Sequence, residues 1–310
     1  MEKKLHRIDI HHHILPPEYL KSLAKIGVIT AGNVAFPTWA PEESLSVMDK
    51  LGIATAITSI SSPGVYFGDI KFTKDLARLC NDFSASLIKT YPQRFGGFAT
   101  LPLPDIEESL NEVEYALDTL KLDGVVLLSN INGKYLGDPE FEELFSELNR
   151  RKAVVFIHPD APPAEKLPKL NFPTSVLEFV FDTTRAVANL LHHGILKRYS
   201  DIRFILAHAG GTAPYLAWSI TFGNKRLIKY LNNFYYDMAI SATSYIFNTL
   251  MELTDTSKML LGSDYPFVHE IVAKEMFQSI GTYKGFNDDD CFAIEQENAL
   301  SLFPRLNSDY

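Results

Sequence analysis

Residues 153–158, AVVFIH, form a continuous apolar run of strand length that ends on a histidine. Continuous apolar residues are expected of a strand that is buried on both faces, as in a parallel sheet. A single histidine at the end of such a run is most often a structural group. Its meaning therefore depends on what the rest of the chain places beside it.

Seven further apolar runs occur along the chain, and stretches with helical periodicity separate them. The runs are 8–11, 54–60, 95–101, 124–129, 203–208, 234–239 and 259–263. The helical stretches are 41–51, 72–89, 106–120, 139–151, 177–197 and 211–230. Strands that alternate with helices predict an α/β fold, and eight of them favour a closed (β/α)8 TIM barrel. An open parallel sheet is the alternative that periodicity leaves.

The chain contains no repeat, low-complexity tract or composition break, so we expect residues 1–310 to form a single barrel domain. Three connections, 14–40, 61–71 and 159–174, are longer than a barrel requires. All three follow the ends of strands where barrel enzymes place their chemistry. Because aromatic side chains are costly to leave in water, we expect these loops to line the site. Trp39, Tyr66, Phe67 and Tyr265 would then form a slot for a flat ring, with ordinary packing as the alternative.

The composition limits the partners and the location of the protein. Its net charge is −9, from 38 acidic and 29 basic residues, and no basic cluster stands out. Nucleic acid is therefore not expected as a partner, because phosphate backbones need a basic footprint. No apolar stretch is long enough for a membrane span. Cys80 and Cys291 are the only cysteines, so a disulfide framework is excluded and a cytoplasmic enzyme is expected.

Four of the eight runs end on residues that can bind a metal. The first ends in DIHHH, where His11 and His13 point to one side of a strand and His12 to the other. His158, His208 and Asp264 lie at the ends of the fifth, sixth and eighth runs. Burying so many polar groups at one end of a barrel is expensive unless they share a partner. Neutral imidazoles and a carboxylate suit zinc and related divalent ions, so we expect a metal site here.

These motifs resemble a known family. DIHHH, FIHP, LAHAGG and LLGSDYPF, together with ENALSLF near the C-terminus, are similar to the amidohydrolase superfamily, and more narrowly to its aminocarboxymuconate-semialdehyde decarboxylase-like branch. The stretches 37–65 and 180–195 resemble 6-methylsalicylate decarboxylases most. The resemblance implies an amidohydrolase-type barrel, metal ligands at His11, His13, His158 and Asp264, and an acid/base role for His208. It also implies a homodimer.

The resemblance further implies one metal ion. Binuclear relatives have a carbamylated lysine at the end of the fourth strand, whereas residues 124–130 here read GVVLLSN. We expect a single divalent cation, with zinc as the first choice and manganese as the alternative.

Two positions bear on the substrate, which we expect to be a small carboxylate. The semialdehyde decarboxylase has an arginine eleven residues after the sixth-strand histidine, where this chain has Ser219. This difference argues against the muconate semialdehyde as substrate. Arg185 could bind a carboxylate, and an ion pair with Asp182 is the equal alternative. Asp237, on the seventh run, could orient His208 or a ligand, or cap nearby backbone.

We therefore predict a metal-dependent carbon–carbon lyase that decarboxylates a small aromatic or conjugated hydroxy acid without oxidation. Protonation of the carbon that bears the carboxylate avoids a free carbanion, and either Asp264 or His208 would be the proton donor. A metal-dependent hydrolase of a lactone or amide is the alternative with the same ligands. A non-catalytic metal-binding protein is the alternative from another class. It leaves His208 without a function.

Overall fold

Residues 6–163, 167 and 170–308 are described by the computed structural model. Within them, eight parallel strands follow one another around a barrel in sequence order, so the predicted TIM barrel is confirmed. The strands are β1 (Arg7–His13), β2 (Ile53–Ser59), β3 (Phe95–Thr100), β4 (Gly124–Leu128), β5 (Val154–His158), β6 (Arg203–Leu206), β7 (Tyr235–Asp237) and β8 (Met259–Leu260).

Backbone hydrogen bonds between β1 and the segment after β8 close the barrel. Ile10 N donates to Leu261 O at 3.0 Å, and His13 N donates to Tyr265 O at 2.7 Å. Asp264 N donates in the opposite direction, to His11 O, at 2.8 Å. The first and last candidate ligand segments are thus held side by side by the main chain.

Helices surround the barrel, and five of the six predicted helical stretches coincide with one or two of them. They are α1 (Pro17–Lys25), α2 (Pro41–Leu51), α3 (Ile70–Thr90), α4 (Ile106–Glu114), α5 (Glu142–Arg150), α6 (Glu178–His192), α7 (Ile195–Arg198), α8 (Ala217–Ile220), α9 (Lys225–Leu231), α10 (Ser244–Met251), α11 (Glu270–Thr282), α12 (Asp288–Phe292) and α13 (Asn298–Leu302). None of the described helices is long and apolar enough to cross a membrane.

The prediction of a single helix at 211–230 is wrong. This stretch forms turns followed by the two short helices α8 and α9. Gly211 and Gly223 both adopt positive φ angles, +64° and +69°, and Pro214 cannot donate a helical hydrogen bond. The two glycines and the proline therefore interrupt the helix that the apolar periodicity predicted.

The long loops have structure of their own. Loop 14–40 contains α1 and a hairpin of two short strands, Thr30–Ala31 and Val34–Ala35. We call the second element the 30–35 hairpin. Residues 164–166, 168 and 169 of the predicted loop 159–174 lie outside the described residues.

The barrel interior is filled, which leaves only one end for a site. Inward-facing apolar residues from the strands form one cluster with Phe303 and neighbouring C-terminal residues. The Phe98 and Phe156 rings stack with their centroids 5.3 Å apart, and Phe98 also contacts Phe303. Arg203, at the start of β6, donates to Leu302 O, which places the C-terminal segment at the amino ends of the strands. The carboxyl ends face the opposite side, where the ligand candidates lie.

Candidate metal centre and active site

The three consecutive histidines of β1 have two different environments. His11 and His13 point into the barrel mouth, and their Nε2 atoms lie 3.0 Å apart. His12 points to the other side, where Nδ1 lies 3.0 Å from Asp9 Oδ2 and Nε2 lies 3.0 Å from Ser44 Oγ. The alternation of a strand therefore separates two ligand candidates from one structural histidine.

Four side chains from three parts of the chain meet at the barrel mouth. His11, His13, His158 and Asp264 each offer one ligand atom, and these atoms lie within 4.8 Å of one another. Asp264 Oδ1 is 3.1 Å from His13 Nε2 and 3.4 Å from His11 Nε2. The structure thus brings together all four residues predicted as metal ligands.

Hydrogen bonds to the second ring nitrogens orient these imidazoles. His11 Nδ1 lies 2.8 Å from Asp237 Oδ2, and His158 Nδ1 lies 2.8 Å from Pro159 O. His13 Nδ1 lies 3.1 Å from Ser59 Oγ. A carboxylate or carbonyl acceptor favours the tautomer with the proton on Nδ1 and leaves the Nε2 lone pair for a metal.

Burial and mutual repulsion control the protonation of the cluster. Burial, together with the neighbouring histidines, holds the pKa of His158 well below its usual value. Burial also lowers the pKa of His13. Burial opposes the charge on His11 as well, but Asp237 and Asp264 outweigh it and raise the pKa of His11 to about 10. The charge on His11 and the hydrogen bonds of the histidines also hold the pKa of Asp264 well below normal, against the effect of burial.

The donor set fits a divalent cation. Ligand atoms bound tetrahedrally at 2.0–2.2 Å from zinc lie about 3.3–3.6 Å from one another, and the cluster has comparable separations of 3.0, 3.1 and 3.4 Å. Neutral imidazoles and an ionised carboxylate are the forms that bind metal, so a bound cation would displace the proton that the raised pKa keeps on His11. A shared cation compensates the cost of burying these groups together.

His208 lies beside the cluster but holds a different position. Its Nε2 is 3.4 Å from Asp264 Oδ2, and its ring centroid is 5.0 Å from that of His11. Its backbone N–H donates to Asp237 Oδ1 at 3.2 Å. His208 Nδ1 is buried and has no hydrogen-bond partner in the described part of the chain. His208 therefore keeps an unpaired polar atom beside the candidate ligands.

Asp237 serves both of the roles that the sequence left open. It is fully buried, and its Oδ2 accepts from the candidate ligand His11. Its Oδ1 accepts from the backbone N–H groups of His208 and Ala239. One carboxylate thus fixes both a ligand and the turn that carries His208.

Strained backbone occurs at three residues around the site. His208, Ile240 and Asp264 have φ angles of +54°, +46° and +57°, a region that costs non-glycine residues about 1–3 kcal/mol each. All three line the same cleft, at the exits of β6, β7 and β8. Such strain persists where the surrounding structure holds the residue in place, and it concentrates at functional sites.

An open cleft adjoins the cluster, and we call it the metal cleft. It has about 680 Å³ of empty space, and His158, His208 and Asp264 form its floor. Its walls are mostly apolar and come from the 30–35 hairpin, from the start of α6 and from the segment after Asp264. The apolar wall residues are Ala31, Val34, Val176, Phe179, Ile240, Phe267 and Val268. Ser61 and Ser175 add hydroxyl groups.

The 30–35 hairpin is fastened to the start of α6. Asn33 Nδ2 donates to Thr174 Oγ1 at 2.7 Å, and Ser175 N donates to Gly32 O. Gly32 has a φ of +53°, and a Cβ there would lie 3.0 Å from the Phe179 ring and from Ser175 Cβ. The positive φ and this close approach therefore favour glycine at position 32.

The residues predicted to contact substrate lie elsewhere. Trp39 donates through Nε1 to Ser44 Oγ at 2.9 Å, and Tyr265 packs on His12, so both are on the outer side of β1. Tyr66 and Phe67 line a different cavity. None of them, nor Arg185, is among the described residues that line the metal cleft. The structure therefore does not bring the predicted aromatic residues together in the metal cleft.

Arg185 has the ion pair that was its alternative. Its guanidinium lies 3.5 Å from Asp182 Oδ1 and 3.6 Å from Glu178 Oε2. Asp182 is fully buried and accepts hydrogen bonds from Ser129, Asn130 and Tyr135. The end of β4, where binuclear relatives place a lysine, is thus bonded to α6.

Two kinds of functional residue were missed from the sequence. Phe179 and Phe267 line the cleft, and the Phe267 ring lies 5.6 Å from that of His13. Phe267 is three residues after Asp264, but the sequence did not distinguish it from Tyr265, which packs outward on His12. Asp9 also had no predicted role, yet it accepts from His11 N, His12 Nδ1 and Ser263 and so ties β1 to the β8 exit.

The fold and the site define a TIM-barrel protein of the enzyme type with a cluster that could hold a metal ion, its candidate ligands lying at the carboxyl ends of β1, β5 and β8. Residues 8–305 match the sequence model of the amidohydrolase family. The chain belongs to this family, as its motifs predicted.

Individual relatives agree with the family assignment. A 6-methylsalicylic acid decarboxylase of Penicillium expansum is 32% identical over 97% of this chain and 97% of its own. A solved structure of an amidohydrolase II is 30% identical and superposes with a TM-score of 0.91, covering 96% of this chain and 99% of the other. A dihydroxybenzoic acid decarboxylase from Polaromonas, solved with manganese and an inhibitor, shares the fold with a TM-score of 0.83 at 22% identity, over 97% of each chain. The predicted resemblance to 6-methylsalicylate decarboxylases is confirmed.

Proposed function

We propose that the protein is a metal-dependent, non-oxidative decarboxylase of a small aromatic hydroxy-carboxylic acid. The observation that carries the proposal is the meeting of His11, His13, His158 and Asp264 on the floor of an apolar cleft, with His208 beside them. The 6-methylsalicylic acid decarboxylase among the relatives supports the same enzyme class.

These four residues would hold one divalent cation, which would supply Lewis-acid stabilisation of negative charge on the substrate. We infer that His208 delivers a proton to the ring carbon that bears the carboxylate. The bond from that carbon to the carboxylate then breaks, CO2 leaves, and the electron pair of the bond restores the aromatic ring. Asp264, 3.4 Å from His208 Nε2, is the other candidate donor and orients the imidazole.

The chemistry of the metal cleft favours a ring with apolar substituents. No lysine or arginine is among the described residues that line it, so no side-chain cation is in place for a second carboxylate. Val34, Val176 and Phe179 form an apolar wall opposite the ligands. We infer that the substrate is a monocarboxylate with an alkyl or unsubstituted ring face, such as 6-methylsalicylate.

We propose zinc as the metal, with manganese as the alternative. Three imidazoles and one carboxylate suit zinc, whereas the Polaromonas decarboxylase was solved with manganese. Metal analysis of the isolated protein, followed by reconstitution of the stripped protein with each ion, distinguishes them. If only manganese restores activity, zinc is excluded as the functional metal.

We also keep two broader proposals. A homodimer is inferred from the family resemblance, and light scattering coupled to gel filtration tests it. A cytoplasmic location is inferred from the two cysteines, both of which are free. Fluorescence of a tagged protein in its native host tests the location.

The decisive experiment measures CO2 release from metal-loaded protein with a panel of ortho-hydroxybenzoates. We expect CO2 and the corresponding phenol in equal amounts, with deuterium from heavy water on the ring carbon that lost the carboxylate. In a His208→Asn variant that retains its metal, the rate should fall strongly. Ring opening or amide cleavage with incorporation of one oxygen from water would instead assign the protein as a hydrolase.

A further inference from the structure

A second cavity lies at the same face of the barrel, across the ends of β2, β3 and β4. Its inner part has about 540 Å³ of empty space, and an outer depression has about 840 Å³. The two parts share Pro63, Tyr66, Asn130, Asn132 and Asp160, so they form one continuous space. We call this space the second cavity.

The second cavity is separate from the metal cleft. The two share no lining residue in the described part of the chain. The segment 61–63 lies between them, because Ser61 lines the metal cleft and Pro63 lines the second cavity. Ser62 donates to Asp160 Oδ1 at 2.6 Å and so ties this segment to the loop after β5.

The walls of the second cavity combine an apolar region with a polar end. Ile60, Val65, Leu101, Leu103 and Leu127 are all buried and supply the apolar wall. Thr100 also lines it, and the Thr100 hydroxyl is buried without a hydrogen-bond partner in the described chain. Unpaired buried hydroxyls are uncommon in proteins, and a bound polar molecule would satisfy this one.

Asp160 supplies an acceptor at the polar end. Its Oδ1 accepts from Ser62 Oγ and from Ala161 N. The hydrogen bonds found among the described residues leave Oδ2 without a donor. No lysine or arginine is among the described residues that line the cavity. A carboxylate ligand would therefore face a carboxyl group with no compensating cation, whereas a neutral donor would find an acceptor.

We propose that the second cavity binds a small neutral aromatic molecule with one hydroxyl, a phenol, with its ring on the apolar wall and its hydroxyl donating to Asp160. Phenols are also the products of the proposed decarboxylation, but this proposal depends only on the residues that line the second cavity. Its test measures binding, so its outcome is independent of whether the protein decarboxylates anything.

The experiment compares meta-cresol, a donor, with anisole, a ring of similar size that can only accept. Both are titrated into the metal-loaded protein and into Asp160→Asn by ligand-observed NMR. Asparagine can keep the bonds to Ser62 and Ala161 through its oxygen, which places its NH2 group where Oδ2 was. We expect cresol to bind roughly tenfold more weakly to the variant, because a strong acceptor is lost. Anisole should bind no more weakly.

Two further variants locate the site. Leu103→Phe, on the apolar wall, should weaken cresol binding at least tenfold and leave salicylate binding unchanged. Val176→Phe, in the metal cleft, should do the reverse. Metal content and melting temperature are measured for each variant, so that a folding defect is recognised. The proposal is overturned if Asp160→Asn affects cresol and anisole equally, if Val176→Phe abolishes cresol binding, or if benzoate binds to the second cavity as well as cresol.

Discussion

Asp237→Asn is the substitution that tests most directly whether the cluster is a metal centre. Asp237 Oδ2 accepts from His11 Nδ1 at 2.8 Å, and Oδ1 accepts from two backbone N–H groups. An asparagine has only one acceptor oxygen. If its oxygen keeps the backbone bonds, its NH2 group faces His11 Nδ1. His11 must then lose its Nδ1 proton, which moves the remaining proton to the Nε2 atom that would bind the metal.

The size of the effect follows from this conflict. A buried donor left without an acceptor costs about 1–3 kcal/mol, and substitutions of such supporting partners lower metal affinity about 10–100-fold. The metal-free protein escapes part of the cost, because His11 can then adopt the other tautomer. We therefore expect metal affinity to fall about 10–100-fold, which corresponds to about 1.4–2.7 kcal/mol.

The assay is a competition titration of zinc between the protein and a chromophoric chelator at fixed pH. Asp182→Asn is the matched control, because Asp182 is also fully buried and accepts three side-chain hydrogen bonds, but none from the cluster. We expect both variants to lose stability and only Asp237→Asn to lose metal affinity. Equal metal affinities of Asp237→Asn and the unsubstituted protein would refute the role that we assign to Asp237 in orienting His11.

Three further predictions concern the proton donor, the hairpin and acid stability. His208→Asn should lower kcat about 10²–10⁴-fold while metal content is unchanged, and an equal loss of both would make His208 a ligand instead. Gly32→Ala should raise KM several-fold, whereas Gly27→Ala, also at positive φ but with no atom within 4 Å of the added Cβ, should leave KM unchanged. Hydrogen bonds from Arg150 and Arg151 lower the pKa of Glu147 to about 2, so they stabilise the fold above pH 4.5 and are lost as the pH falls toward 2. Acid titration of Glu147→Gln should show a pH-dependent difference from the unsubstituted protein of less than about 1 kcal/mol, and no difference between pH 4.5 and 2 would contradict this role of Glu147.

The barrel could be predicted because its strands are buried on both faces. Every predicted run overlaps a strand of the structure, from β1 to β8. The positions of His11, His13, His158 and Asp264 followed from this, since parallel strands bring their carboxyl ends to one face. The strand period also separated His12 correctly from its neighbours.

The walls of the cleft could not be predicted, because they depend on loop paths that periodicity does not encode. Tyr265 directly follows Asp264 but packs outward against His12, whereas Phe267, two residues later, contacts His13. The 30–35 hairpin reaches the cleft only because Gly32 allows it to approach Phe179. An aromatic residue near a ligand in sequence therefore did not indicate which side of the barrel it would occupy.

At two strained positions the chain has residues with functional side chains, although glycine would make the backbone more stable. A glycine at 208 or 264 would relieve a backbone cost of about 1–2 kcal/mol, yet the chain has a histidine and an aspartate there, both with positive φ. The turn at His208 is fixed by its N–H bond to Asp237, and Asp264 N is bonded to His11 O. The network that orients His11 thus also holds the two strained residues in place. We infer that binding of a cation and tolerance of this strain depend on the same hydrogen bonds, because both fail if Asp237 or β1 moves.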